Sequence, residues 1–132
     1  MDFLVHIWYT EKNIIYTKEQ TAMKIAIIGS RSIKSINLDE IFPPYGTEIV
    51  SGGASGVDAC AKEYAMKNNI KYTEFLPEYS KFGKSAPLRR NMEIIKHADI
   101  IFAFWDSKSP GTFHALVCAK KMRKPVHIEL TN

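Results

Sequence analysis

Four short stretches of this chain carry residues able to hold an anion or do acid–base work. Gly29-Ser30-Arg31 offers a backbone that a ligand can approach closely and a guanidinium that can clamp a phosphate bidentately. Ser51-Gly52-Gly53-Ala54-Ser55-Gly56-Val57-Asp58 is richer in glycine and leads into a helix, whose first amides and positive dipole end suit a phosphate. It matches neither G-x-G-x-x-G nor a Walker A loop, which needs a Lys-Ser/Thr pair. A tight turn that needs glycine for its dihedrals is the plainer reading of the same residues. Asp58 could face a ligand, cap the helix, or pair with Lys62 one turn on, the last worth only about 0.3–0.5 kcal/mol.

Arg89-Arg90-Asn91 place two cations and an amide at the start of another helix, where side chains and helix amides address the same anion. Capping or tethering a loop is the rival role for Asn91. Trp105-Asp106 offer an indole to stack on a base and a carboxylate for a ribose hydroxyl. Pro110-Gly111-Thr112 open a further helix with free amides. Tyr79 and Phe82 are additional stacking candidates, although aromatics in such places more often pack than touch ligand.

Other chemistries find no residues. There is no Ser-His-Asp arrangement and no nucleophile elbow. His114 is read without a partner at metal spacing, and Cys60 and Cys118 as small buried thiols, so neither metal nor cofactor is expected.

Positioning four such stretches takes a regular scaffold, and the hydrophobic pattern supplies one. Apolar runs at Lys24–Ile28, Glu48–Val50, Lys71–Leu76, Ile100–Phe104 and Pro125–Leu130 read as buried parallel strands. Between them lie helical patterns: Ser35 to Phe42, stopped by Pro43-Pro44; one from Gly56 with Val57, Cys60, Ala61, Tyr64 and Ala65 inward; one from Pro87 with Leu88, Met92 and Ile95 inward; and one bearing Ala115, Cys118, Ala119 and Met122. Residues 77–86 read as a long polar loop. Alternating strands and helices imply an α/β, Rossmann-like doubly wound sheet of about five parallel strands with helices on both faces. Every glycine-rich or basic stretch then follows a strand, at the carboxyl edge where such sheets bind ligands.

The chain has 132 residues, room for one main domain, assigned to 23–132. Residues 1–22 stand apart as an extension, with Phe3–Tyr9 and Ile14–Thr17 able to form a β-hairpin. Hydrophobic residues at 45% and charged residues at 24% exclude a disordered or fibrous chain, and no apolar run is long enough to span a bilayer. The N-terminus lacks a basic n-region, so a cytoplasmic protein with no membrane partner is expected. The net charge of +4 is mild. Lys120, Lys121, Arg123 and Lys124 complement a helix C-terminus, whereas Lys81, Lys84, Arg89 and Arg90 sit among the site candidates and suit an anion better.

Ile27-Ile28-Gly29-Ser30-Arg31, the Ser51–Asp58 loop, Arg90-Asn91 before Ile94-Ile95, and Gly111-Thr112 together resemble the SLOG (Smf/DprA–LOG) superfamily across Met23 to Ile128. The likeness is to its small stand-alone YspA and cpYpsA-related members. The resemblance implies binding of a nucleotide or nucleotide-derived ligand across the glycine loops, as a sensor or binding module, in a chain that can self-associate. LOG enzymes cleave nucleotide N-glycosidic bonds with a P-G-G-x-G-T-x-x-E segment. Here Ser109-Pro110-Gly111-Thr112-Phe113-His114-Ala115 lacks one glycine pair and has Ala115 at the glutamate position. A phosphoribohydrolase would therefore need Asp58, Glu78 or Asp106 as a displaced carboxylate. DprA-like members bind single-stranded DNA, which calls for a basic groove with stacking platforms; Lys81, Phe82, Lys84, Arg89 and Arg90 are the contributors at hand.

Overall fold

A computed structural model describes residues 7–9, 14–16, 23–40 and 47–131. Five strands form one all-parallel sheet: β3 (Met23–Gly29), β4 (Thr47–Ser51), β5 (Lys71–Glu74), β6 (Ile100–Trp105) and β7 (Val126–Leu130), in the order β5-β4-β3-β6-β7. Numbered from the first core strand this is 3-2-1-4-5, so the strand order reverses between β3 and β6. The register sets Ile25 beside Ile49 and Ile27 beside Phe102, and brings Ile28-Gly29 level with Ala103-Phe104. Two further strands, β1 (Ile7–Tyr9) and β2 (Ile14–Tyr16), pair antiparallel with Trp8 opposite Ile15. The rest of the expected hairpin lies outside the described residues.

Three helices flank the sheet: α1 (Val57–Lys67), α3 (Ala86–His97) and α4 (Pro110–Lys121). Because successive side chains of a strand point to opposite faces, β3 serves two cores. Ile25 and Ile27 pack with Ile49, Phe102 and the α1 residues Val57, Ala61 and Tyr64. Ala26 and Ile28 pack with Val50, Ile94 and Ile95 of α3, and Ala115 and Ala119 of α4. The small α4 residues let that helix lie close to the sheet. At the amino edge, Lys124 donates to the carbonyl oxygens of Ala98 (2.7 Å) and Lys96 (3.3 Å), placing a cation at the C-terminal end of α3.

The fold corrects four local expectations. Of the helix expected over 35–42, the described part is a 3₁₀ turn at Leu38–Glu40. Asn37 Oδ1 accepts the Asp39 amide (3.0 Å), an alternative to the helix ladder that asparagine readily supplies. β5 stops at Glu74, two residues early, as Leu76-Pro77 leaves the sheet. The segment 77–86 is not simply loop: α2 (Tyr79–Phe82) and a 3₁₀ turn at Gly83–Ser85 fill it, begun by the Lys81 and Phe82 amides on the Glu78 carbonyl. Finally, Leu88 and Met92 do not face the core. They are 41% and 40% exposed, because α3 buries only Ala86, Ile94 and Ile95 and packs on the sheet chiefly through the two isoleucines near its end.

Candidate functional site

β3 ends in Gly29, and the chain turns sharply there. A Cβ at Gly29 would sit 2.5 Å from Val57 Cγ2 and 2.7 Å from the Phe104 carbonyl oxygen, so the missing side chain lets α1 close on the strand ends. Gly56, at φ +79°, occupies the left-handed region, and a Cβ would meet the Ile33 carbonyl oxygen at 2.6 Å. Both glycines are needed to build the loops; Gly29 also lines the cleft described next, and Gly56 does not. Ser30 is 1% exposed, and its Oγ accepts the Asp106 amide at 3.1 Å, tying the loop after β3 to the loop after β6.

Between these loops and α3 lies a cleft of about 340 Å³. Ile28, Ile94 and Ala115 contribute apolar surface to it, and Pro87 and Leu88 extend that wall along α3. Gly29, Ser30, Arg31, Ala54 and Asp58 line it from the first two loops. Arg90, Asn91, Gly111 and Thr112 line it from α3 and α4. This gathering of all four regions sits at the carboxyl end of β3, beside the reversal in strand order.

Within that set the cations differ. Arg90 is engaged: its Nη1 donates to the carbonyl oxygens of Gly52 (2.6 Å) and Phe75 (3.5 Å), and Nε donates to Asn91 Oδ1 (3.0 Å). It holds the second loop against α3. Asn91 Nδ2 in turn donates to the Gly111 carbonyl oxygen (3.3 Å), so the tether reading fits its geometry. Arg31 is exposed and makes no side-chain hydrogen bond or ion pair among the described residues. Burial lowers the Arg90 pKa, against the pull of Asp58 and Tyr79, and the Arg31 charge adds a smaller push in the same direction as burial.

Asp58 is buried, 6% exposed. Burial pushes its pKa up, against the pull of the Ala54 amide, the Ser51 hydroxyl, the Arg90 charge and the Gly52 amide. Its Oδ2 accepts the Ala54 amide at 3.0 Å, and no Lys62 pair forms among the described residues. The carboxylate therefore shapes the loop. At the far side, α4 begins without a side-chain cap. The first amides of a helix have no intrahelical acceptor, which leaves those of Gly111 and Thr112 at the cleft.

Several expected residues fall outside the cleft lining. Ser51 is buried and its hydroxyl donates to the Ile27 carbonyl oxygen at 2.7 Å. Gly52, Gly53, Ser55 and Gly56 form the loop behind Ala54. Trp105 stacks on Phe113 (5.8 Å between centroids) and donates from Nε1 to the Ser109 carbonyl oxygen, so its ring is engaged in packing. Asp106 accepts from Ser32 (2.6 Å) and from the amides of Lys108 and Ser109. Those bonds, the Ser32 hydroxyl first, hold its carboxyl well below the usual carboxylate range.

Arg89 lines a second cavity of about 350 Å³ beside α2, which Arg90 also lines. The thiols of Cys60 and Cys118 are partly exposed and free, not buried. Cys118 Sγ lies 3.7 Å from His114 Nε2 one turn earlier, a partner the sequence reading overlooked. No group of three or more metal-ligating side chains occurs among the described residues. The cleft residues missed from sequence, Ile28, Pro87, Leu88, Ile94, Ser109, Pro110 and Ala115, are mostly apolar and carry no signal distinguishing a cleft wall from core.

Comparisons with known proteins agree with this architecture. A family model described as DNA recombination-mediator protein A matches residues 7–112. The Gene 61 protein of Mycobacterium phage D29 is 35% identical over 116 residues, covering 78% of this chain and 93% of that protein. The solved structure of DNA processing protein A from Helicobacter pylori, described for its single-stranded DNA binding mode, is similar with a TM-score of 0.64 at 24% identity. That match covers 85% of this chain and 67% of the other.

Proposed function

This chain belongs to the DNA recombination-mediator protein A family, and from that premise we propose that it binds single-stranded DNA by seating one phosphate-bearing nucleotide in the cleft after β3. The carrying observation is Arg31, an exposed guanidinium without a protein partner among the described residues, opposite the uncapped start of α4. A phosphate between them gains charge-assisted hydrogen bonds from both. Arg90 and Asn91 tie the walls together, and the surface of Leu88, Pro87 and Ile94 accepts the sugar or base. Within the family we propose a kinship with its SLOG-type YspA and cpYpsA-related branch.

A free nucleotide is the second reading, favoured by the cleft volume, which lies in the range of small-molecule sites. Nucleotide N-glycosidic cleavage has less to work with. Ala115 puts a methyl group on the cleft surface, Asp58 is committed to the Ala54 amide, Asp106 organises its own loop, and Glu78 lines the other cavity.

A thermal-shift screen with nucleoside mono-, di- and triphosphates and a short single-stranded oligonucleotide tests the proposal. A ligand at 100 times its Kd stabilises by about 2.7 kcal/mol, which moves the Tm of a domain this size by several degrees. The expected result is a shift with the oligonucleotide that Arg31→Ala removes. A shift with one free nucleotide and none with the oligonucleotide supports the second reading. No shift with either contradicts both.

A further inference from the structure

The second cavity is nearly the same size as the first, about 350 Å³ against 340 Å³, and Arg90 lines both. Its surroundings differ in kind. Phe75, Phe82 and Met92 give it apolar and aromatic surface. Two cations lie over the Phe82 ring, Arg89 with its guanidinium carbon 4.5 Å from the centroid and Lys81 with its Nζ at 5.1 Å. Glu78 and Glu93 line the same cavity.

From these contacts, resting on the single-stranded DNA reading, we infer that this cavity is a second nucleotide subsite, and that it takes a base bearing an exocyclic amino group. The lining sets Glu78 and Glu93 beside Lys81, Arg89 and Arg90, so the carboxylates are there for a base's amino group and the cations for the phosphate that carries it. An aromatic ring and a guanidinium plane are both platforms on which a base stacks. The exocyclic amino group of cytosine, adenine or guanine offers two N–H donors to two carboxylates, whereas thymine offers only its single ring N3–H. Arg89 and Lys81 stand by the same ring, placed to meet the backbone phosphate of the seated nucleotide. The phosphodiester joining the two nucleotides then crosses the wall that Arg90 forms between the cavities. The minimal ligand is thus two linked nucleotides, the second of them not thymidine.

Fluorescence anisotropy with labelled dC and dT homo-oligonucleotides, together with competition by the mononucleotide dCMP, tests this. Expected are tighter binding of the dC strand than the dT strand, and loss of that preference in Glu78→Gln/Glu93→Gln. Phe82→Ala should weaken oligonucleotide binding about tenfold, the scale of one base–aromatic stack, and leave dCMP competition unchanged. Phe82→Leu keeps the apolar volume without the ring, and should weaken binding similarly if the ring itself stacks. Equal affinity for dC and dT strands, or Phe82 variants that bind the dC strand as tightly as the parent chain, overturns the subsite while leaving the first cleft standing. A parent chain that binds neither strand overturns the single-stranded DNA reading and the subsite with it.

Discussion

Two glycines, one at the end of β3 and one at the start of α4, illustrate how the same residue type serves different ends. Gly29 is crowded by Val57 and the Phe104 carbonyl, whereas a Cβ at Gly111 meets nothing within 4 Å. Gly29→Ala should therefore destabilise the fold by about 1–3 kcal/mol through overpacking, read as a lower urea midpoint. Gly111→Ala should leave that midpoint unchanged or slightly raised, since alanine suits a helix better. Its effect should appear instead in ligand affinity, because the methyl group projects where the cleft opens. Equal urea midpoints for Gly29→Ala and the parent chain would contradict the assignment of Gly29 to packing. Arginine shows a similar division: Arg90 bonds backbone carbonyls of two loops, and exposed Arg31 makes no side-chain hydrogen bond or ion pair among the described residues. Sequence could name both but not sort them, because sorting depends on a carbonyl thirty-eight residues away.

Among the elements, the loop after β6 hangs on one carboxylate. Asp106 gathers Ser32 and the amides of Lys108 and Ser109, and so delivers the start of α4 to the cleft. Its pKa is lowered from the ordinary 3.8, chiefly by the Ser32 hydroxyl. A lowered folded value means stabilisation that is complete above the unfolded pKa and lost as pH falls through the folded one. Glu48, bonded to Thr73 and His97, is also lowered overall despite burial as its largest and opposing influence, and adds in the same direction. Asp58, raised by burial, acts oppositely: its contribution is present at low pH and fades as pH rises through its folded value. Asp106→Asn should start less stable at neutral pH and lose less further stability on acidification below about pH 5. Urea midpoints across that range check this; curves that stay parallel would refute it.

The elements themselves were legible where periodicity was strong. All five core strands and the three main helices follow from alternating apolar runs and i, i+3, i+4 spacing. What failed was local. Leu88 and Met92 have the spacing of a buried face, yet both stay exposed, and no pattern within a helix reveals which of its turns find a partner to pack on. The short α2 turn depends on one Glu78 carbonyl accepting two amides, a signal weaker than the polar composition around it. Residues that the sequence placed in loops after strands lie together at one edge, because the parallel sheet itself gathers those ends.

On the scale of the whole molecule, the 3-2-1-4-5 order places the loop after β3 beside that after β6, and α3 roofs the gap from the other half. No helix among the described residues is long and apolar enough to cross a membrane. The net charge of +4 is too small to draw nucleic acid through a broad field, so attraction must come from a few placed cations. That makes salt dependence the most direct probe of the central claim. Each phosphate neutralised on a single strand contributes about −0.7 to the slope of log K against log salt. Oligonucleotide affinity should be measured by anisotropy across a salt series for the parent chain and for Arg31→Ala. The account predicts a negative slope that becomes shallower by about 0.7 in the variant. Identical slopes, or no binding even at low salt, would show that Arg31 holds no phosphate and that the cleft after β3 is not where this chain meets DNA.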